Sequence, residues 1–181
     1  MTIEKAIKMI TEYIAEPNYV NKEWVECLLL CKNILQEKQK KNENKMKVVL
    51  DKGAILPTRA HDTDAGLDLY AKEQQIVLAR ESAVFDTGVH IELPPNTTGF
   101  LKSKSGLNVN HGITNEGVID VGYTGSIKVK LYNNSGYDYI VEKGDKISQL
   151  VILPIVTPEI DIVESLEETE RGNQGFGSSG K

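Results

Sequence analysis

The chain has 181 residues, 21 basic and 26 acidic, for a net charge of −5, with 40% hydrophobic and 26% charged residues. This size suits one ordinary domain plus an appendage, and the composition excludes a disordered or collagen-like chain and argues against coating nucleic acid through a broad basic face. Apolar runs such as Leu150-Val151-Ile152-Leu153 are too short to span a bilayer, and the N-terminus lacks the layout of a secretion signal, so a cytoplasmic protein binding neither membrane nor nucleic acid directly is expected.

Residues 1–36 read as a helical hairpin. Ile3, Ala6, Ile7, Ile10 and Ile14 recur at helical spacing, and after the breaker Glu16-Pro17-Asn18 a second run carries Trp24, Cys27, Leu28, Cys31, Ile34 and Leu35, with Asn21 as its N-cap. Cys27 and Cys31 share a helix face and are expected as buried thiols, not as a disulfide framework or a metal pair. Residues 37–47 are charged, without an apolar face, and read as a linker or a frayed helix end. From 48 to about 160 the pattern changes to short alternating runs, including Val89/Ile91/Leu93, Ile127/Val129/Leu131 and Ile147 onward. Turns such as Pro94-Pro95-Asn96 and Asn133-Asn134-Ser135-Gly136 punctuate them, which predicts an all-β jelly roll or barrel. Residues 161–181, acidic and then glycine-rich, read as a flexible C-terminal arm.

Five segments carry more polar detail than a plain β-domain needs. Ala65-Gly66-Leu67-Asp68-Leu69 leaves Asp68 among apolar neighbours, and Lys102-Ser103-Lys104-Ser105-Gly106-Leu107 gathers hydroxyls, ammonium groups and a pliable backbone suited to phosphate. Asn115-Glu116-Gly117-Val118-Ile119-Asp120-Val121-Gly122-Tyr123-Thr124-Gly125 reads as a hairpin presenting a carboxylate and a ring three residues apart. Gly144-Asp145-Lys146-Ile147-Ser148-Gln149-Leu150 puts one amide, Gln149, on a buried strand, and the tail joins Arg171 to Phe176.

In this order the set resembles the trimeric all-β dUTPases over residues 46–181, leaving only the N-terminal segment uncovered. The resemblance implies a distorted jelly-roll β-barrel preceded here by a short α-helical hairpin. It also implies hydrolysis of dUTP to dUMP and pyrophosphate with Mg2+, which limits uracil incorporation into DNA and supplies dUMP for dTMP synthesis. By that likeness Asp120 is the general base, Tyr123 packs under the deoxyribose, and the backbone around Gly117 and Val118 reads uracil. Ser105, Gly106 and Gln149 bind phosphate, as does Lys104, which stands where the family commonly has arginine and so lacks the bidentate fork. Asn115 stands one residue later than the family's usual asparagine, where Thr114 precedes it, so either side chain could assist base reading. Phe176 stacks on the base, Arg171 grips the γ-phosphate, and Gly177 and Ser178 complete the closing arm. Asp68 supports the metal only indirectly, through water. A homotrimer with shared sites is implied.

The related dCTP deaminases need a glutamate where Lys130 stands, which disfavours that chemistry. A regulatory protein using the same scaffold, with a partner for residues 1–45, is the other alternative.

Overall fold

The computed structural model describes residues 1–15, 22–43 and 45–173. Asn21, expected as a cap, and Phe176, Gly177 and Ser178 of the arm lie outside them.

Helix α1 (Ile3–Ala15) starts at Thr2, whose hydroxyl accepts the Lys5 N–H at 3.3 Å and thereby satisfies one of the helix's free donors. It packs on α2 (Lys22–Glu43). The half-buried positions are Ile3, Ala6, Ile7, Ile10 and Ile14 on α1, and Val25, Leu28, Lys32, Leu35 and Gln39 on α2, which repeat at the three-and-four spacing of a helix seam. One expectation is narrowed here and another changes. Of the two readings of the charged segment, linker or frayed helix end, helix α2 follows the second as far as Glu43, because Gln, Glu and Lys are good helix formers and need no apolar face to stay helical beside a packed turn. Cys27 and Cys31 are exposed, not buried, because α1 covers the neighbouring stripe and leaves theirs, with Trp24 and Ile34, uncovered. No helix among the described residues is long and apolar enough to cross a membrane.

The remaining strands are β1 (Lys47–Leu50), β2 (Gly66–Tyr70), β3 (Gln75–Val77), β4 (Ser82–Asp86), β5 (Val89–Glu92), β6 (Thr97–Lys102), β7 (Ile113–Thr114), β8 (Glu116–Ile119), β9 (Lys128–Asn133), β10 (Tyr139–Val141) and β11 (Lys146–Pro154). A short helix, α3 (Ser105–His111), sits between β6 and β7. Every pairing is antiparallel, and the strands form four sheets in the orders β1-β5, β3-β10, β2-β11-β6-β8 and β4-β9-β7. The alternation of β9 sends Val129 and Leu131 inward to meet Leu69, Val77, Val89, Val141, Ile147 and Leu150, which builds the jelly-roll-like all-β core. The turn after β9 is fixed by buried Asn133. Its amide donates to the carbonyls of Val77 and Tyr137, at 3.0 and 2.8 Å, and its oxygen accepts from Ser135.

Two departures bear on the site. The segment from Gly117 to Gly125 is not a two-stranded hairpin: β8 pairs with β6, whereas β9 pairs with β4 and β7, so the turn carries the chain from one sheet to another. The Ser-Gly segment after Lys104 opens α3 instead of a plain loop, ended by Gly112 in the left-handed region at φ 64°. After Pro154 the described chain has no regular structure, and Val156, Ile160, Ile162 and Leu166 are 86–93% exposed.

Candidate active site

The expected residues fall into two groups at different ends of one sheet. In the first, Asp68 on β2 lies opposite Gln149 on β11, which lies opposite Lys102 on β6, which lies opposite Glu116 on β8. Asp68 is 2% exposed, and its two carboxylate oxygens accept from the ammonium groups of Lys104, at 2.7 Å, and Lys146, at 2.8 Å. The Gln149 amide adds a longer contact at 3.4 Å. Burial pushes the Asp68 carboxyl upward, but the two lysines outweigh it and hold it below the usual carboxylate range; in turn Asp68 raises the Lys146 ammonium. Ser105 and Gly106 follow Lys104 on α3 and are exposed, with open space where a side chain at Gly106 would stand.

Lys146 belongs to this group although the sequence did not single it out. Three residues from Gln149 on a regular strand, it would face the opposite side. A bulge between Lys146 and Ser148 turns it to face Asp68, and leaves Ile147 and Ser148 both buried.

Asn115 braces the same end. Its N–H donates to the Ser103 hydroxyl at 2.9 Å, Ser103 donates back to its carbonyl at 3.0 Å, and its amide donates to Ser148 at 2.8 Å. Its side-chain oxygen is the one buried side-chain polar atom among the described residues without a partner in the protein. A cavity of about 490 Å³ opens beside it, lined by Lys102, Ser103, Thr114, Asn115, Glu116 and Tyr132.

The second group is the turn after β8. Gly117 is half-buried and Val118 exposed on the strand, and exposed Asp120 and Tyr123 follow, joined by the Tyr123 N–H donating to the Asp120 carbonyl at 3.1 Å. The Tyr123 hydroxyl donates to the Ser126 carbonyl at 3.1 Å, folding the ring over Gly125, where a Cβ would stand 2.6 Å from that hydroxyl. A side chain at Gly125 would displace that ring, and Gly122, at φ 92°, supplies the reversal. The turn is tied to the strands behind it. Ser126 donates to Asp86, whose carboxyl is held below its usual range first by that bond and then by the Gly88 N–H. The Ile127 N–H donates to Val89 at 2.8 Å, and the His90 ring meets the Thr124 carbonyl at 2.9 Å.

Asp120 leaves β8 at the end opposite Glu116, four residues or about 13 Å along the strand from the Asp68 row, and β2 and β8 lie three strand spacings apart, about 14 Å. One chain therefore does not bring Asp120 and Tyr123 onto Asp68, Lys104 and Gln149. Arg171 is exposed in the described part of the arm.

A jelly-roll-like all-β scaffold thus carries a lysine-paired carboxylate at one end of a sheet and a carboxylate–tyrosine turn at the other. The family model described as dUTPase matches residues 52–180, and the chain belongs to the dUTPase family. It is 44% identical over 134 residues to the deoxyuridine 5'-triphosphate nucleotidohydrolase of Clostridium acetobutylicum, covering 72% of this chain and 92% of that one. It is 43% identical over 141 residues to the same enzyme of Kluyveromyces lactis, covering 76% and 95%. Among solved structures it resembles the dUTPase of Staphylococcus bacteriophage 80alpha with dUPNHPP, at TM-score 0.73 and 35% identity over 76% of this chain and 99% of that chain. A dUTPase of phage phi11 of S. aureus, described with a structural Mg(II) ion, matches at TM-score 0.65 and 31% identity over 69% and 100%.

Proposed function

We propose that the protein hydrolyses dUTP: water adds to the α-phosphorus, the bond to the bridging oxygen breaks, and dUMP and pyrophosphate leave. The observation that carries this is the turn that holds Asp120 and Tyr123 together on a family-matched scaffold. In this reading the Asp120 carboxylate takes the proton of the attacking water, and the Tyr123 ring, set by Gly125, packs under the deoxyribose. Lys104, Lys146, Ser105, Gly106 and Gln149 take the phosphate oxygens, with Asp68 holding both ammonium groups in place before substrate arrives. Backbone at Gly117 and Val118 reads the uracil, and the buried Asn115 side-chain oxygen, unpaired within the protein, is a further acceptor for the substrate.

Among the described residues no group of three or more His, Cys, Asp or Glu side chains offers a metal site, and both Asp68 oxygens are taken by lysines. A resident ion on protein ligands does not fit this donor set. Magnesium is therefore assigned to the substrate, as the counter-ion of its triphosphate, with Asp68 reaching it only through water.

The separation of the two residue groups supports a homotrimer whose sites combine one copy's lysine end with another's Asp120 turn. The uncovered apolar residues after Pro154 support an arm, with Arg171 and Phe176, that closes over a neighbour's site. Deamination is disfavoured by Lys130, whose ammonium lies over the Tyr132 ring at 5.0 Å where a carboxylate would be needed. The test is pyrophosphate release from dUTP, dTTP, dCTP and UTP with magnesium. Strong preference for dUTP is expected; equal rates on all four would refute the pocket, and ammonia from dCTP would refute the reaction.

A further inference from the structure

His90 lies on β5, opposite Val49 of β1, and lines a cavity of about 420 Å³ with Lys47, Val49, Asp51, Glu92 and Thr124. Its ring bridges two elements: Nδ1 is 2.9 Å from the Thr124 carbonyl oxygen and Nε2 is 3.2 Å from an Asp51 carboxylate oxygen. Both partners are pure acceptors, so both contacts are hydrogen bonds only when the ring carries two protons. A neutral ring can donate to one and must turn a lone pair toward the other. Thr124 directly follows Tyr123 and lies four residues beyond Asp120, within the turn whose remaining ties, through Ser126 and Ile127, come after it.

We propose that His90 is a positioning residue, whose doubly protonated ring pins the Thr124 carbonyl to Asp51 and so fixes the turn that carries Asp120 and Tyr123. This rests on the dUTPase reading above and deepens it. The carboxylates around the ring favour its charged form: Asp51 faces it directly and Asp86 lies on the neighbouring strand end, while Lys72 stands 4.0 Å from the other Asp51 carboxylate oxygen. Lys47 and Glu92, at the far end of the ribbon, pair with each other at 2.7 Å. The Thr124 carbonyl first, and then Asp51, hold the imidazole above its ordinary range. The pin is therefore in place below that raised value and loosens as pH rises through it.

The experiment compares dUTP hydrolysis from pH 6 to 9 in the wild type, His90→Ala, His90→Asn and Asp51→Asn, with the His90 ring titration followed by NMR in the wild type and Asp51→Asn. His90→Ala is expected to lower kcat by about tenfold with little change in KM, the scale of a small displacement of a reacting group. His90→Asn, whose amide can still donate to Thr124, should recover most of that loss and lack the alkaline decline that tracks the ring titration. Asp51→Asn should move the titration and the decline together to lower pH. Wild-type turnover with an unchanged kcat and pH profile in His90→Ala and Asp51→Asn would overturn the inference alone. Absence of wild-type turnover would overturn the dUTPase reading and this inference with it.

Discussion

The two ends of the β2-β11-β6-β8 sheet solve opposite problems. At the Asp68 end a buried carboxylate is held by two lysines and an amide, and Ser103, Asn115 and Ser148 brace the backbone around it, so this end is ordered by contacts within the chain itself. At the Asp120 end the chemistry-bearing side chains are exposed, and the turn is shaped by two glycines and anchored through backbone carbonyls. On the proposed reading, binding is preorganised by charge, whereas chemistry is preorganised by main-chain geometry. The contrast teaches that substitutions at the first end should reach stability and KM, and those at the second kcat.

The sharpest way to break this contrast is Asp120→Asn, which keeps size and turn geometry while removing the base. Turnover of dUTP is expected to fall by about three orders of magnitude with KM little altered; a variant near the wild-type rate would refute the base assignment. Next in size is Asp68→Asn, which removes the carboxylate charge that holds two ammonium groups. A loss of about 3 kcal/mol is expected in urea unfolding, at the lower edge for broken buried pairs because both lysines reach solvent. Because the Asp68 carboxyl is held low, its contribution is complete above about pH 4 and is lost as pH falls through the depressed value. Acid unfolding of Asp68→Asn should accordingly show a shallower pH slope there than the wild type. Lys146→Ala should raise KM for dUTP by about fivefold and leave kcat near wild type, a split that steady-state kinetics reads directly. The smallest effect is expected on removing residues 1–45, since the family model spans residues 52–180 and relatives are matched over 92% and 95% of their own lengths by 72% and 76% of this chain. Turnover within about twofold of wild type is predicted; a large loss would make the hairpin part of the enzyme's framework.

Much of this was legible from residue order. The alternation in Val129 and Leu131 and the turn chemistry around Asn133 marked the β-fold, and five short motifs marked the family. What stayed hidden did so for physical reasons. Lys146 was masked because a bulge breaks the period of two on which strand faces are judged. The turn after β8 looked like a hairpin because its glycines are hairpin residues, yet partner choice for β8 and β9 is settled by packing across two sheets. The buried stripe of α2 was misjudged because that helix is apolar on two faces, and only the position of α1 decides which is covered. Nor does sequence spacing reveal that the Asp120 turn and the Asp68 row lie at opposite ends of a sheet.

Helix α2 ends at Glu43 and β1 begins at Lys47, so the two are joined by a leash of at most about 14 Å. The hairpin thus travels with the β1-β5 ribbon on a short tether, although its exposed Ile34 and Trp24 stand about 14 and 28 Å back along the helix from Glu43.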